Sequence, residues 1–303
     1  MIAKGNKTTE GSSRKLYKGI GVVTVLDVNP SKAQLQEIYG REIEEEPVYV
    51  GTVERDGKQV PSIRVSFIIS TVPDKNNGIE VTTNHVFFLV KNYMKSVKEV
   101  NGVTVTKYKV IDKYGRTAWA TTEEAKAKAI PQYERGPANI DSDYRPCYEG
   151  EEELTEFIKK YLDIKDVAVY TNGVWTPNTR VNASDCEVRL DTIDSIFTGN
   201  LAEIKEAISY QPGNTVKVAF GVKNDIDRNR QLQTTYTRMC YKVAATDYSK
   251  FEAEIASRKE RGGLANVEFD TAPLHEYVVD PTDLQPTMEQ AAAANIAGED
   301  APW

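Results

Sequence analysis

The sequence predicts an α+β chain: a five- or six-stranded antiparallel core with a helical insertion at about residues 120–210. Two observations carry this. β-branched and aromatic residues alternate with polar ones in segments on both sides of the middle of the chain. Between those segments lie two stretches with apolar residues at helical spacing.

Gly19 to Val28 is apolar and β-branched, a strand ending near Asn29-Pro30, and Ser31 to Tyr39 follows as a short helix. Val48 to Glu54 and Ser62 to Ser70 flank the turn Asp56-Gly57 and read as a hairpin. In its second strand Ile63, Val65, Phe67 and Ile69 face a core. Asp74 to Gly78 is a loop, Glu80 to Lys91 a strand, and Val103 to Asp112 another after the turn Asn101-Gly102. Thr121 with Glu124 forms a capping-box pattern opening a helix to Ile130. Leu154, Phe157, Ile158 and Tyr161 mark one face of a helix from Glu151 to Leu162. Leu201, Ile204 and Ile208 mark another to Tyr210, with Asn200 as its cap. Val169 to Arg189 is irregular with strand character. Thr215 to Val222 and Gln233 to Thr246 are strands, and Ser249 opens a last helix stopped by Gly262-Gly263.

The net charge of −7 over 303 residues is unevenly spread. Leu264 to Trp303 holds eight acids and no Lys or Arg, whereas residues 1–263 sum to +1. Met1 to Lys18 is a Gly/Ser/Thr-rich arm of net +4. The expected organisation is therefore a flexible basic arm (1–18), a body (19–263) and a disordered acidic tail (264–303). The terminal Trp303 either packs on the body or is offered to a pocket on another protein.

No run approaches the ~18 apolar residues of a spanning helix, and no signal-peptide stretch opens the chain, so no membrane association is expected. Cys147, Cys186 and Cys240 stand far apart and His85 and His275 form no ligand spacing, so no metal or cofactor is expected. Buried free thiols in a reducing compartment account for the cysteines. Phosphate-loop, dinucleotide, nucleophile-elbow and zinc-protease motifs are all missing, which argues against an enzyme.

The closing strands carry the most information. Val216, Val218, Phe220 and Val222 share a core face, leaving Lys217, Ala219, Gly221 and Lys223 on the other. In the next strand Met239, Tyr241 and Val243 read as apolar, with Tyr236, Arg238, Cys240 and Lys242 opposite, and the link adds Arg228 and Arg230. Cations that track phosphates, a ring for stacking and small residues for close approach are what a single-stranded nucleic acid groove requires. A second cluster comprises Lys91, Tyr93, Lys95, Lys107, Tyr108, Lys109, Arg116 and Trp119. A solvated sheet face is the plainer reading of each cluster alone.

A basic arm, a small antiparallel body with cationic-aromatic strands and an acidic tail ending Asp300-Ala301-Pro302-Trp303 together resemble the bacteriophage single-stranded DNA-binding proteins. The resemblance is one of layout and includes no long matched motif. It implies an OB-fold-like β-barrel core that coats single-stranded DNA in replication, repair and recombination in the host cell cytoplasm. It also implies a tail that recruits polymerase, primase or helicase through Glu299, Asp300, Pro302 and Trp303, and an arm that promotes self-association along the strand. Two departures stand beside it: some members hold zinc, and Phe is the commoner terminal ring. A virion structural or packaged cargo protein without catalytic activity shares the same profile and is the alternative.

Overall fold

The computed structural model describes residues 15–121, 144–172, 174–190, 193–226, 232–243, 260, 267–268 and 271–277. Thr121, expected to open a helix, ends a strand instead; residues 122–130 of that expected helix, the helix expected from Ser249, and residues 1–14 and 278–303 lie outside the described residues, apart from residue 260. In chain order the elements are β1 (Leu16–Val28), α1 (Lys32–Tyr39), β2 (Val50–Arg55), β3 (Lys58–Thr71), β4 (Thr82–Tyr93), β5 (Lys95–Val100), β6 (Val103–Asp112) and β7 (Thr117–Thr121). They continue with β8 (Tyr144–Pro146), β9 (Tyr148–Glu149), α2 (Glu151–Tyr161), β10 (Ala168–Thr171), β11 (Val174–Pro177), α3 (Ile193–Ile196) and α4 (Leu201–Ala207). The last are β12 (Thr215–Ile226), β13 (Leu232–Val243), β14 (Val267–Glu268) and β15 (His275–Tyr277).

The architecture is mixed, with few helices and a curled antiparallel sheet ordered β13-β12-β1-β3-β4-β9. β14 pairs with β12, β15 with β1 and β2 with β3, and a smaller sheet runs β5-β6-β7 with β8 beside β6. The chain divides into two compact units. One takes the described residues within 1–47, 66–85 and 212–303, the other those within 48–65 and 86–211. The second unit begins earlier than the insertion expected at about 120–210, and strand outweighs helix among its described residues as a whole. Helical spacing had revealed only its two longer helices.

In the first unit β1 pairs with β12 on one side and β3 on the other, burying Val23, Val25, Val28, Phe67, Ile69, Val216, Val218 and Phe220. The register slips once between Val25 and Asp27, leaving Leu26 as the extra residue, and its side chain is 43% exposed. That slip returns Val28 to the core opposite Phe67. The loop after β3 is locked to β1 by buried Asn76. Its Oδ1 accepts from the Val22 N–H at 2.9 Å, and its Nδ2 donates to the Val22 and Val72 carbonyls at 2.7 Å. Ser31 caps α1 through the Gln34 N–H, with the Gln34 side chain accepting from the Ser31 N–H in return.

Part of the expected disordered tail is strand. β15 pairs antiparallel with Leu16, Tyr17 and Lys18, and β14 pairs with Val222 and Lys223 of β12. Between them the Ile20 N–H donates to the Ala272 carbonyl at 2.7 Å, and the Leu274 N–H donates to the Ile20 carbonyl at 2.9 Å. Leu274 is buried, and the Tyr277 hydroxyl donates to Glu268 at 2.6 Å, tying one end of this strap to the other. Gly19 makes the close approach possible. It has φ +110°, and a Cβ built there would lie 2.6 Å from the Ala272 carbonyl oxygen. Pro273 falls between the two pairings, each of which spans only two or three residues. The arm is also shorter than expected, since Leu16 to Lys18 already belong to β1.

In the second unit α2 buries Leu154, Phe157, Ile158 and Tyr161, as its spacing predicts. The Phe157 ring lies 5.3 Å from Phe87 of β4. Glu151, at the start of α2, is fully buried; it pairs with Arg145 and accepts from the Tyr148 N–H at 2.9 Å. Asn200 caps α4 through the Ala202 N–H. Asp56-Gly57 and Asn101-Gly102 all have positive φ, the geometry of two-residue turns that match strand twist. The first closes the expected β2–β3 hairpin; the second closes β5–β6, whose first strand the sequence pattern had not revealed.

Candidate nucleic-acid interface

β12 and β13 form the expected antiparallel pair. Opposed residues in such a pair lie on one face, so the register assigns each position. Lys223 stands opposite Tyr236 and Gly221 opposite Arg238, as alternation from sequence had it. Between Phe220 and Ala219 the register shifts, skipping Cys240. Beyond the shift Ala219 meets Tyr241, Val218 meets Lys242 and Lys217 meets Val243. Lys242 is therefore corrected: it registers with core-face Val218, away from the row of Lys217 and Lys223. Tyr241, expected on the apolar side, takes a position in that row. A bulge inverts alternation beyond it, and nothing in the run from Tyr236 to Lys242 marks where it falls. The row so defined holds the positions of Lys217, Ala219, Gly221 and Lys223 on β12 and of Tyr241, Arg238 and Tyr236 on β13; Ala219 and Gly221, expected on the open side, are buried, and Lys217 is half-buried. Arg228, Arg230 and the tail positions Glu299, Asp300, Pro302 and Trp303 lie outside the described residues.

The second cluster falls within the second unit, and carboxylates engage several of its cations. Lys109 of β6 pairs with Glu152 of α2, and the same carboxylate accepts from the Thr117 hydroxyl at 3.1 Å. Lys109 also lies 5.9 Å from the Trp119 ring, opposite it on β7. Arg116 donates from Nε to the buried Asp112 carboxylate at 2.7 Å and lies over Tyr114. Both cations are largely buried and act as struts of the β6–β7 turn and of the α2 contact. Lys107 and Tyr108 are half-buried on β6 opposite Thr121 and Ala120.

Lys91 and Tyr93 sit differently. The Tyr93 ring stacks on Tyr148 with centroids 5.1 Å apart and planes 15° apart, and Phe197 meets Tyr148 edge-on at 5.5 Å. The Tyr148 hydroxyl donates to Asp194 at 2.7 Å, and the Lys91 ammonium lies 3.3 Å from the same carboxylate. That hydroxyl bond, followed by the lysine, holds the Asp194 carboxyl below its ordinary range. Burial, then the bond to Asp194, pushes the Tyr148 phenol far above its usual value, so it remains a neutral donor. Sequence reading missed Tyr148 and Phe197, which come to Tyr93 only through tertiary packing.

Cys147 and Cys186 are buried free thiols, as expected, and burial raises both thiol pKa values. Among the described residues no group of His, Cys, Asp and Glu could hold a metal ion, and no helix is long and apolar enough to cross a membrane. No protein-family model, curated protein or solved structure matches the chain.

Proposed function

We infer that the chain is a sequence-independent single-stranded DNA-binding protein, of the kind bacteriophages use in replication, repair and recombination. The observation that carries this reading is the β12–β13 register. By register, two lysines, an arginine and two tyrosines fall in one row of positions on β12 and β13, beside the buried Ala219 and Gly221. Residues two apart on a strand are ~7 Å apart, so cationic and aromatic positions recur along the face at a spacing that a flexible polyanion with stacking bases can follow. The curled antiparallel sheet is compatible with an OB-like core and supports the same reading. Residues 278–303 carry five acids and no Lys or Arg. Tethered to the body, they compete weakly for the cationic face and offer Glu299, Asp300, Pro302 and Trp303 to replication partners such as polymerase, primase or helicase. The arm promotes contacts between neighbours on the strand, and the protein acts in the cytoplasm of the infected cell.

A filter-binding titration of the full chain with oligo-dT and with duplex DNA at two salt concentrations tests the reading. Preference for the single strand, with affinity falling as salt rises, is expected. Equal or absent binding to both would overturn it.

A further inference from the structure

We propose that Tyr93, flanked by Lys91 and Lys95, is a second stacking platform for single-stranded nucleic acid, built on the second unit and separate from the β12–β13 face. The proposal rests on the strand-binding reading above and adds a site to it. Lys91 and Tyr93 are exposed at the end of β4, beyond a register shift after Val90, and Lys95 is exposed at the start of β5, with Asn92 and Met94 half-buried between them. An ammonium thus stands two residues before the ring and another two residues after it. All three side chains are open to solvent, at 40% for Lys91, 43% for Tyr93 and 38% for Lys95.

The ring is fixed before any ligand arrives. Tyr148 stacks against one of its faces, Phe197 holds Tyr148 edge-on, and the Tyr148 hydroxyl is tied to Asp194. A planar group stacking on the remaining face meets a surface whose ordering cost has already been met by folding. The two ammonium groups are balanced by Asp194 at 3.3 Å and Asp56 at 2.5 Å, carboxylates that are themselves 66% and 62% exposed. Ion pairs this open contribute little, so phosphates on either side of a stacked base can replace or share them at small cost. Lys109 and Arg116 differ here, because their carboxylates hold them in partly buried structural pairs. A nucleobase between two phosphates matches an exposed ring with a cation on either side of it in sequence.

Photo-crosslinking of the full-length protein to an oligo-dT carrying 5-iodouracil, with adducts mapped by mass spectrometry, tests the site without altering the fold. An adduct on Tyr93 is expected alongside adducts in β12–β13. Tyr93→Ala should weaken oligo-dT binding about tenfold, the loss of one stacked base, whereas Tyr93→Phe stays within about twofold because the ring is kept. If oligo-dT binds but every adduct falls in β12–β13 and Tyr93→Ala binds normally, the second platform is overturned while strand binding stands. If oligo-dT does not bind at all, both readings fall together.

Discussion

Replacing Gly19 with Ala should loosen the strap formed by residues 271–277 and with it the first unit. Gly19 has φ +110°, and an added Cβ would lie 2.6 Å from the Ala272 carbonyl oxygen and 2.8 Å from that of Pro273. Both obstacles are backbone, so no side-chain rotation relieves them. If the strap stays, the strained φ costs about 1–3 kcal/mol, before the overlap is counted. If it lifts, the Ile20–Ala272 and Leu274–Ile20 hydrogen bonds are lost, at about 1 kcal/mol each. Leu274 also leaves its buried site, at about 2 kcal/mol. The lifting route sums to about 4 kcal/mol and sets the ceiling on the loss, a large fraction of the ~5–15 kcal/mol that holds a domain together. Urea unfolding of Gly19→Ala should shift the midpoint down by about 1 M or more. Peptide-resolved hydrogen exchange should accelerate first in 271–277. An unchanged midpoint with unchanged exchange in that segment would refute the reasoning.

Arg238→Ala should lower the slope of log affinity against log salt by roughly one, whereas Lys242→Ala should leave it near the wild-type value, since the shift at Cys240 takes Lys242 off the cationic row; equal effects from the two would mean the register does not decide the contact. Tyr148→Phe removes the hydroxyl that holds the Asp194 carboxyl low. In the wild-type protein the depressed folded-state value contributes stability above the ordinary carboxylate pKa of ~3.9, lost as pH falls through the folded value. The variant should move the Asp194 titration, followed by carboxyl NMR, up towards the ordinary range, and an unmoved titration contradicts the assignment. Cys147 and Cys186 should resist alkylation in the native protein and react only on unfolding, as their burial and raised pKa values require; rapid native labelling of either peptide would show that its surroundings open.

Strands and helices with one buried side were legible from the sequence, because burial imposes a period. Leu154 to Tyr161 is the clearest case. β5 was not, since from Val97 to Val100 each residue is exposed and no side of it is selected for apolar residues. The strap was invisible for a related reason: its strands span two and three residues and depend on partners some 45 to 260 positions away. The candidate face was half legible. Alternation placed Lys223, Arg238 and Tyr236 correctly in register, but one bulge reversed Tyr241 and Lys242. Composition located the cations of the second cluster yet could not separate struts from open groups. Asp112 lies four residues from Arg116, but Glu152 and Asp194 reach Lys109 and Lys91 only through the tertiary fold.

Leu16 opens β1 and Tyr277 closes β15, and the two stand directly opposite each other in an antiparallel pair. Cα atoms so related are only ~5 Å apart, a gap that a two-residue turn spans. The first unit is therefore suited to circular permutation. Tyr277 can be joined to Leu16 by a two-residue turn in place of residues 1–15 and 278–303, and the chain reopened at the exposed Asn101-Gly102 turn, where a break leaves the β1–β15 pairing untouched. Such a permutant would present new ends on the second unit and turn the old ones into a hairpin.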